Sequence, residues 1–305
     1  MALTYDQLSA ITEKKFIPKM VDNIFDVVPL LDKLKGKIKK QDGGLQVLQP
    51  LNYAQMASVG WFSGADTLDN TDTDVFTSAS FDWGQIYASI PISRRDELRN
   101  SGDSQKVNFV KSKVQVAEKS LADTIATALY NSGSDTKAIV GARTFVTTSS
   151  TYGGISQSTY SWWQGNVDSS TTTLTIAALR AQQSAVEANG GNIKIWTATS
   201  ANFDRLFALL QPQQRFMGEK EAKSGFTSLM FCGAPFVIDT KVPSNSVYGF
   251  DLDYLDLYVH KDENFRMEPF QSPVNQAVKI AHIFACLVLA SSNNRMHCAL
   301  TALTA

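Results

Sequence analysis

The chain has 305 residues, of which 44% are hydrophobic and 19% charged, so it can bury a substantial core and is neither a disordered tail nor a small stapled peptide. Lysine and arginine total 28 against 29 aspartates and glutamates, a formal net charge of -1, which argues against a nucleic-acid binder with a dominant basic surface. Charged residues lie below the roughly 25% of typical soluble domains. A subunit that makes extensive contacts with its own copies would need such a surface.

The cysteine count and the apolar stretches indicate a soluble intracellular protein. Cys232, Cys286 and Cys298 cannot all pair within one chain and form no Cys-x-x-Cys motif, which favours a reducing compartment. The first residues lack a basic cluster leading into an apolar segment, so no secretory signal is expected. The longest apolar stretch, residues 277–290, is shorter than a membrane span of about 20 residues.

The chain begins with a basic segment followed by an acidic one. Residues 5–16 and 20–34 have helical patterns limited by nearby prolines, and the alternation in residues 34–40 favours a strand or an extended arm. Residues 1–40 carry eight lysines, whereas residues 41–93 carry six aspartates and no lysine or arginine. A cationic arm is therefore predicted to precede an anionic loop.

The acidic segment contains two predicted strands. Residues 45–51 and 81–92 alternate between apolar and polar side chains, with a long turn-rich connection between them. An isolated two-stranded hairpin is marginal in water. We therefore expect a partner surface for this hairpin, on another subunit.

The rest of the chain combines helices and strands. Apolar residues recur every three or four positions over residues 104–131, which predicts one helix of roughly 40 Å, and the paired Trp162 and Trp163 indicate that residues 149–170 are ordered. Further elements are predicted from periodicity and from Gly and Pro positions. These are helices at 174–188 and 201–210, and strands at 193–197, 235–239, 247–250, 254–259 and 274–289.

The sequence carries no motif of an enzyme or a cofactor site. Phosphate-binding glycine loops are absent, and residues 154–158 lack the closing glycine of a nucleophile elbow, so they are expected to form a turn. His282 and Cys286, together with His297 and Cys298, raise a zinc hypothesis, but their spacing matches no common zinc module. The acidic stretches 66–74 and 251–256 lack the pattern of a calcium loop. We therefore expect no catalytic, cofactor or metal site.

Several short stretches, taken in order, resemble the major capsid proteins of tailed bacteriophages, which have the Hong Kong 97-like fold. The resemblance runs almost from end to end, and the order and spacing of the pieces carry it. The matching stretches are residues 18–31, 43–44 with 50–53, 91–93 with 97–102, 151–155 with 160–163, 214–216, 225–229 and 233–239.

The resemblance implies an α+β architecture with five parts. Residues 1–40 would be the N-terminal arm and residues 41–93 the extended loop that lies over a neighbouring subunit. The peripheral domain would comprise residues 94–170, with the spine helix at 104–131, and residues 269–305 with the return strand. Residues 171–268 would form the axial domain.

The resemblance also implies a function and partners. The protein would assemble into hexamers and pentamers of an icosahedral head shell around packaged double-stranded DNA, without reading its sequence and without a membrane. A portal and a separate scaffolding protein would be partners, with a decoration protein as a further option. The location would be the virion, and the host cytoplasm during assembly. Covalent linkage through a lysine of the loop, known in some members, is not expected because no lysine lies between Lys40 and Lys106.

The candidate intersubunit residues are aromatic anchors and opposite charges. Aromatic rings can anchor the loop on a neighbour or close the hairpin's own face, and the aspartates of the loop can pair with the lysines of the arm. The loop residues are Trp61, Phe62, Asp66, Asp69, Asp72, Asp74, Phe76 and Trp83. The arm residues are Lys33, Lys35, Lys37, Lys39 and Lys40.

Two alternatives remain open. One is an encapsulin-like cargo compartment with the same shell fold, and the other, of a different class, is an α/β hydrolase using the hydroxyl-rich segment. The lysines of the long helix either face the genome or form an ordinary solvated helix face. These lysines are Lys106, Lys111, Lys113 and Lys119.

Overall fold

The computed structural model describes residues 29–95, 103–214 and 229–304. The predicted helix at 5–16 and the first part of that at 20–34 lie outside these residues. The helices are α1 Pro29–Lys35, α2 Asp103–Ala128, α3 Ala142–Phe145, α4 Ile176–Ala188 and α5 Ser200–Gln214. The first eight strands are β1 Ile38–Gln41, β2 Gln46–Asn52, β3 Phe76–Asp82, β4 Gly84–Ser93, β5 Thr151–Tyr152, β6 Ile155–Ser156, β7 Asn166–Asp168 and β8 Ile195–Ala198. The last seven are β9 Leu229–Phe231, β10 Ala234–Ile238, β11 Val247–Phe250, β12 Leu255–His260, β13 Arg266–Met267, β14 Val278–Ser291 and β15 Cys298–Leu300.

The described end of the predicted arm belongs to the body of the chain. Helix α1 begins at a proline, whose fixed φ suits a first helical turn, and it buries Leu30, Leu31 and Leu34 in the main core. Strand β1 then pairs in parallel with β12, with Ile38 opposite Leu257. Of the two alternatives for residues 34–40, a strand or an extended arm, the structure has a strand at residues 38–41. The leucines of α1 and the backbone of β1 find partners in the same chain.

The strand predicted at 81–92 is wrong as a single strand. Residues 76–82 form β3, which pairs antiparallel with β2, while residues 84–93 form β4, which pairs antiparallel with β14. The chain changes sheets at Gly84, where an added Cβ would lie 2.6 Å from Ile139 Cγ2 and 2.8 Å from the Ile139 backbone nitrogen. That close approach requires a residue without a side chain. Gly84 therefore marks the point where the hairpin strand β3 ends and the sheet strand β4 begins.

A five-stranded sheet and the long helix α2 form the larger part of the core. The strand order is β1-β12-β14-β13, with β4 on the other edge of β14. Helix α2 packs on β4 and buries the stripe expected from the sequence, including Val110, Val114, Leu121 and Ile125. None of the helices in the described ranges is long and apolar enough to cross a membrane.

A six-stranded sheet with helices α4 and α5 forms the second part, in the order β7-β15-β11-β8-β10-β9. Strands β8 and β11 are buried along their whole length, as expected for central strands covered on both faces. A second apolar cluster lies here, built around Trp196, Phe236 and Leu206. The predicted strand at 247–250 is confirmed at both ends, and the predicted helices at 174–188 and 201–210 are confirmed to within four residues at their ends.

Strand pairing divides the two parts differently from the predicted boundaries. Strands β12 and β13, which fall within the predicted axial segment 171–268, belong to the five-stranded sheet with β14. Strand β15, within the predicted peripheral segment 269–305, lies between β7 and β11 of the six-stranded sheet. In chain order the described strands change between these two sheets three times, before β7, before β12 and before β15. This is one crossing more than the predicted segments imply, because partners in a sheet are chosen by register across long sequence separations.

Candidate assembly surface

The extended hairpin formed by β2 and β3 ends in a solvent-exposed tip, residues 54–74. Trp61 is fully exposed, and Val59, Phe62 and Leu68 are each at least 60% exposed. Residues 53–63 make no strand ladder in the described chain. A cluster of large exposed apolar side chains on one projection is typical of an interaction site.

The tip is also negatively charged. Asp66 accepts a hydrogen bond from the Ser63 backbone N–H at 2.8 Å, and Asp69 accepts from the backbone N–H and the hydroxyl of Thr71 at 3.0 and 2.6 Å. The hydroxyl bond, followed by the backbone bond, lowers the pKa of the Asp69 carboxyl. Asp72 and Asp74 are exposed. The tip therefore presents four carboxylates beside its apolar side chains.

The base of the hairpin packs on its own chain. Phe81 is buried and its ring centroid lies 4.9 Å from that of Tyr152, while the Ser80 backbone N–H donates to the Gly153 carbonyl at 3.0 Å. Trp83 is half-buried and donates its indole N–H to the Gly44 carbonyl at 3.0 Å. Trp83 thus closes the base of its own hairpin, whereas Phe76, at the start of β3, is 74% exposed.

The arm lysines are placed differently from one another. Lys37 pairs with Asp253 and Lys39 with Asp256 of the same chain, each at 2.6 Å. The hydrogen bond that the Lys39 ammonium donates to the Asp256 carboxylate raises the pKa of Lys39. Lys33 and Lys40 are exposed, and the side chain of Lys35 lies outside the described part of the structure. Two of the predicted partners of the acidic tip therefore already have carboxylate partners.

A surface groove of about 510 Å³ lies between β4 and α2. The sequence did not predict this groove, because the groove forms only when β4 lies at the edge of the sheet beside α2. The signal in the sequence is the alternation of residues 85, 87, 89 and 91, which the structure exposes, with the apolar residues between them. Its lining includes Tyr87, Ser89 and Pro91 of β4 and Val116, Ser120 and Thr124 of α2.

The histidines and cysteines of the zinc hypothesis are spread over separate surroundings. Burial raises the pKa of the Cys286 thiol to about 11 and lowers that of the His297 imidazole to about 3. His282 lies opposite Ser89 in the five-stranded sheet, whereas Cys298 lies in the six-stranded sheet opposite Gly249. Across residues 29–95, 103–214 and 229–304, no three His, Cys, Asp or Glu side chains are grouped to hold a metal ion.

Sequence comparison matched no family model and no curated protein, whereas comparison of the fold matched capsid structures. The capsid asymmetric unit of cyanophage A-1(L) matches with a TM-score of 0.72 and 20% identity, covering 91% of this chain and 93% of the other. The capsid of an empty GTA particle matches with a TM-score of 0.62 and 14% identity, covering 89% and 90%.

An encapsulin, the SrpI complex from Synechococcus elongatus PCC 7942, matches with a TM-score of 0.59 and 10% identity, covering 95% of this chain and 89% of the other. Each of the three matches covers about nine-tenths of the chain. The chain has the Hong Kong 97-like fold of tailed-bacteriophage major capsid proteins.

Proposed function

We propose that the protein is a major capsid protein, which assembles with its own copies into the hexamers and pentamers of the icosahedral head shell of a tailed bacteriophage. The observation that carries this proposal is the exposed apolar tip, residues 54–74, on a capsid fold. A fully exposed Trp61 beside Phe62 is unfavourable in a protein that stays alone in water. Identical neighbours would cover this tip and leave no subunit unpaired in a closed shell.

The proposed role is structural and not enzymatic. The shell would enclose double-stranded DNA without reading its sequence, in keeping with a net charge of -1. A portal and a separate scaffolding protein would take part in assembly, a decoration protein could bind outside, and no membrane would be involved. The protein would be found in the virion, and in the host cytoplasm while shells form.

The encapsulin-like alternative is a shell that holds protein cargo. The encapsulin match supports it with a TM-score of 0.59 and 10% identity. The cyanophage capsid match, with a TM-score of 0.72 and 20% identity, favours the head-shell proposal.

Electron microscopy of the purified, expressed chain tests the proposal. We expect closed shells or capsomer rings, and native particles that protect DNA from nuclease. A chain that stays monomeric under all assembly conditions would contradict the proposal. Native particles that contain protein cargo and no protected DNA would support the encapsulin-like alternative.

A further inference from the structure

We propose that a cleft beside the base of the hairpin binds a proline-rich segment with a basic residue, supplied by a second protein. The cleft has a volume of about 520 Å³ and lies between strand β3 and the segment 153–162. Four aromatic side chains line it, Tyr53, Phe76, Tyr160 and Trp162, and we call it the aromatic cleft. It is complete within one subunit, so the proposal goes beyond shell formation and does not depend on it.

The aromatic surface is held in place by contacts inside the subunit. The ring centroid of Trp162 lies 5.3 Å from that of Tyr53, with the ring planes 25° apart, and 5.9 Å from that of Tyr160. The next residue, Trp163, is buried and donates its indole N–H to the Tyr152 carbonyl at 2.9 Å, which ties this turn to the core. A surface that is ordered before binding loses little conformational entropy when a ligand binds.

The side chains of the aromatic cleft carry hydrogen-bond donors that the chain itself does not use. Among the described residues, no partner accepts from the indole N–H of Trp162 or from the phenol O–H groups of Tyr53 and Tyr160. A polyproline II segment has no internal hydrogen bonds and its prolines lack N–H groups, so its carbonyl oxygens need donors from outside. Aromatic grooves are a general means of binding such segments. The free donors and the ring surface therefore match this class of ligand.

The charge of the aromatic cleft favours a basic partner. Asp74 lines it and is exposed, and no lysine or arginine stands among the described residues that line it. Asp69 and Asp72 precede Asp74 on the same acidic segment. An arginine or lysine beside the prolines would meet these carboxylates, which would steer the encounter and set the direction in which the segment binds.

The same charge argues against other occupants. Aromatic rings also stack on the bases of single-stranded nucleic acid, but such sites combine the rings with a positively charged groove, whereas phosphates here would be repelled by Asp74. The tip of a neighbouring hairpin is itself acidic, since residues 41–93 carry six aspartates and no lysine or arginine. A basic proline-rich segment avoids both repulsions.

Fluorescence polarisation with a labelled peptide tests the proposal. The probe is a fluorescein-labelled peptide in which an arginine precedes three Pro-Pro-Leu repeats, and the purified chain should bind it saturably before shell assembly. Replacing every proline of the probe with alanine should weaken binding about tenfold, because the segment then loses its preformed extended conformation.

Variants of the aromatic cleft separate the rings from the donors. Tyr160→Ala should weaken binding of the probe about tenfold, and the subunit should stay folded because Tyr160 is 48% exposed. Trp162→Phe keeps a ring and removes the indole N–H, so it should weaken binding about threefold. The matched control is Phe207→Ala on α5, a residue that is 43% exposed and lies outside the cleft. This control should bind the probe as the unmodified chain does.

A second probe measures the contribution of charge. Asp74→Asn should weaken binding of the arginine probe about threefold and leave unchanged the binding of a probe with glutamine in place of the arginine. The difference between the two probes isolates the pair from other effects of the substitution. Equal effects on both probes would overturn the assignment of a basic partner.

The proposal is overturned if the unmodified chain does not bind the arginine probe, if the alanine peptide binds equally well, or if Tyr160→Ala binds normally. Binding of a labelled poly-deoxythymidine strand in place of the peptide would also overturn it, and would assign the aromatic cleft to single-stranded nucleic acid. A chain that binds the peptide but forms no shells contradicts the proposed function alone.

Discussion

The imidazole of His297 is fully buried at the junction of the two sheets. The Asp251 backbone N–H donates to Nδ1 at 3.3 Å, so the neutral ring carries its proton on Nε2, 3.2 Å from the Ser291 hydroxyl. The rings of Phe145 and Phe250 pack against its edge. Burial lowers the pKa of His297 to about 3, since a charged imidazolium would lose its hydration there.

This histidine should make the stability of the subunit depend on pH. The folded-state pKa lies below the unfolded value of about 6.5, so the unfolded chain binds one more proton in the window between them. The contribution to stability is complete above pH 6.5 and falls by about 1.4 kcal/mol per pH unit as the pH drops toward 3.

Urea unfolding of the unassembled subunit between pH 7 and pH 5 would measure this slope, while most carboxylates stay charged. We expect His297→Gln to flatten the slope. Equal slopes in the unmodified subunit and the variant would contradict the assignment.

Gly141 shows how close packing selects a residue without a side chain. A Cβ at this position would lie 2.5 Å from the carbonyl oxygen of Ala128, the last residue of α2, and closer still to the backbone nitrogen of Asn131, which lies just beyond the helix. We expect Gly141→Ala to lower the free energy of unfolding by about 1–3 kcal/mol, because the backbone must shift to accept the methyl group. Gly36→Ala, where nothing lies within 4 Å, is the control, and thermal unfolding is the measurement.

At the scale of the element, strand β3 gives its two faces different roles. Phe81 is 5% exposed and packs on Tyr152, whereas Phe76 is 74% exposed. The two residues are separated by an odd number of positions, so they point to opposite faces of the strand. One face holds the hairpin to its own subunit and the other is available to a neighbour.

Alanine substitutions at these two phenylalanines should therefore have opposite effects. Phe81→Ala should cost about 3–5 kcal/mol of subunit stability and reduce hydrogen-exchange protection in β2 and β3. Phe76→Ala should change subunit stability by less than about 0.5 kcal/mol and lower the yield of shells. A stable Phe81→Ala subunit with normal exchange would show that the base of the hairpin is not held by this contact.

For the whole molecule, the fold and the assembly surface should be separable. Residues 54–74 contribute exposed side chains at a distance from both cores, with the exception of the partly covered Ser58 and Thr73. Replacing these residues with a short glycine-serine linker should leave the free energy of unfolding of the subunit within about 1 kcal/mol, because few buried contacts are lost and the loop becomes shorter. The same variant should form no shells by electron microscopy or light scattering. Shells of normal yield would contradict the role of the tip.

The spacing of apolar residues along the sequence was sufficient to predict the elements that bury one regular apolar face. The apolar stripe of α2, the helix at 176–188 and the strand at 247–250 follow from spacings of three to four or of two residues. The charge bias also predicted an acidic loop, and the tip is acidic and exposed. These features need only the residues within one or two turns of each position.

Partners that are far apart in the sequence could not be read from it. The residues around Trp83 and Phe76 do not predict that Trp83 closes the hairpin and that Phe76 faces solvent. Nor does the local sequence predict that β15 lies between β7 and β11 of the six-stranded sheet, or that Lys39 pairs with Asp256. Hydrogen-bond register and close backbone approaches, such as that of Gly84 to Ile139, select these contacts among residues tens to hundreds of positions apart. A single chain's periodicity says which face is apolar, and packing in three dimensions selects what covers that face.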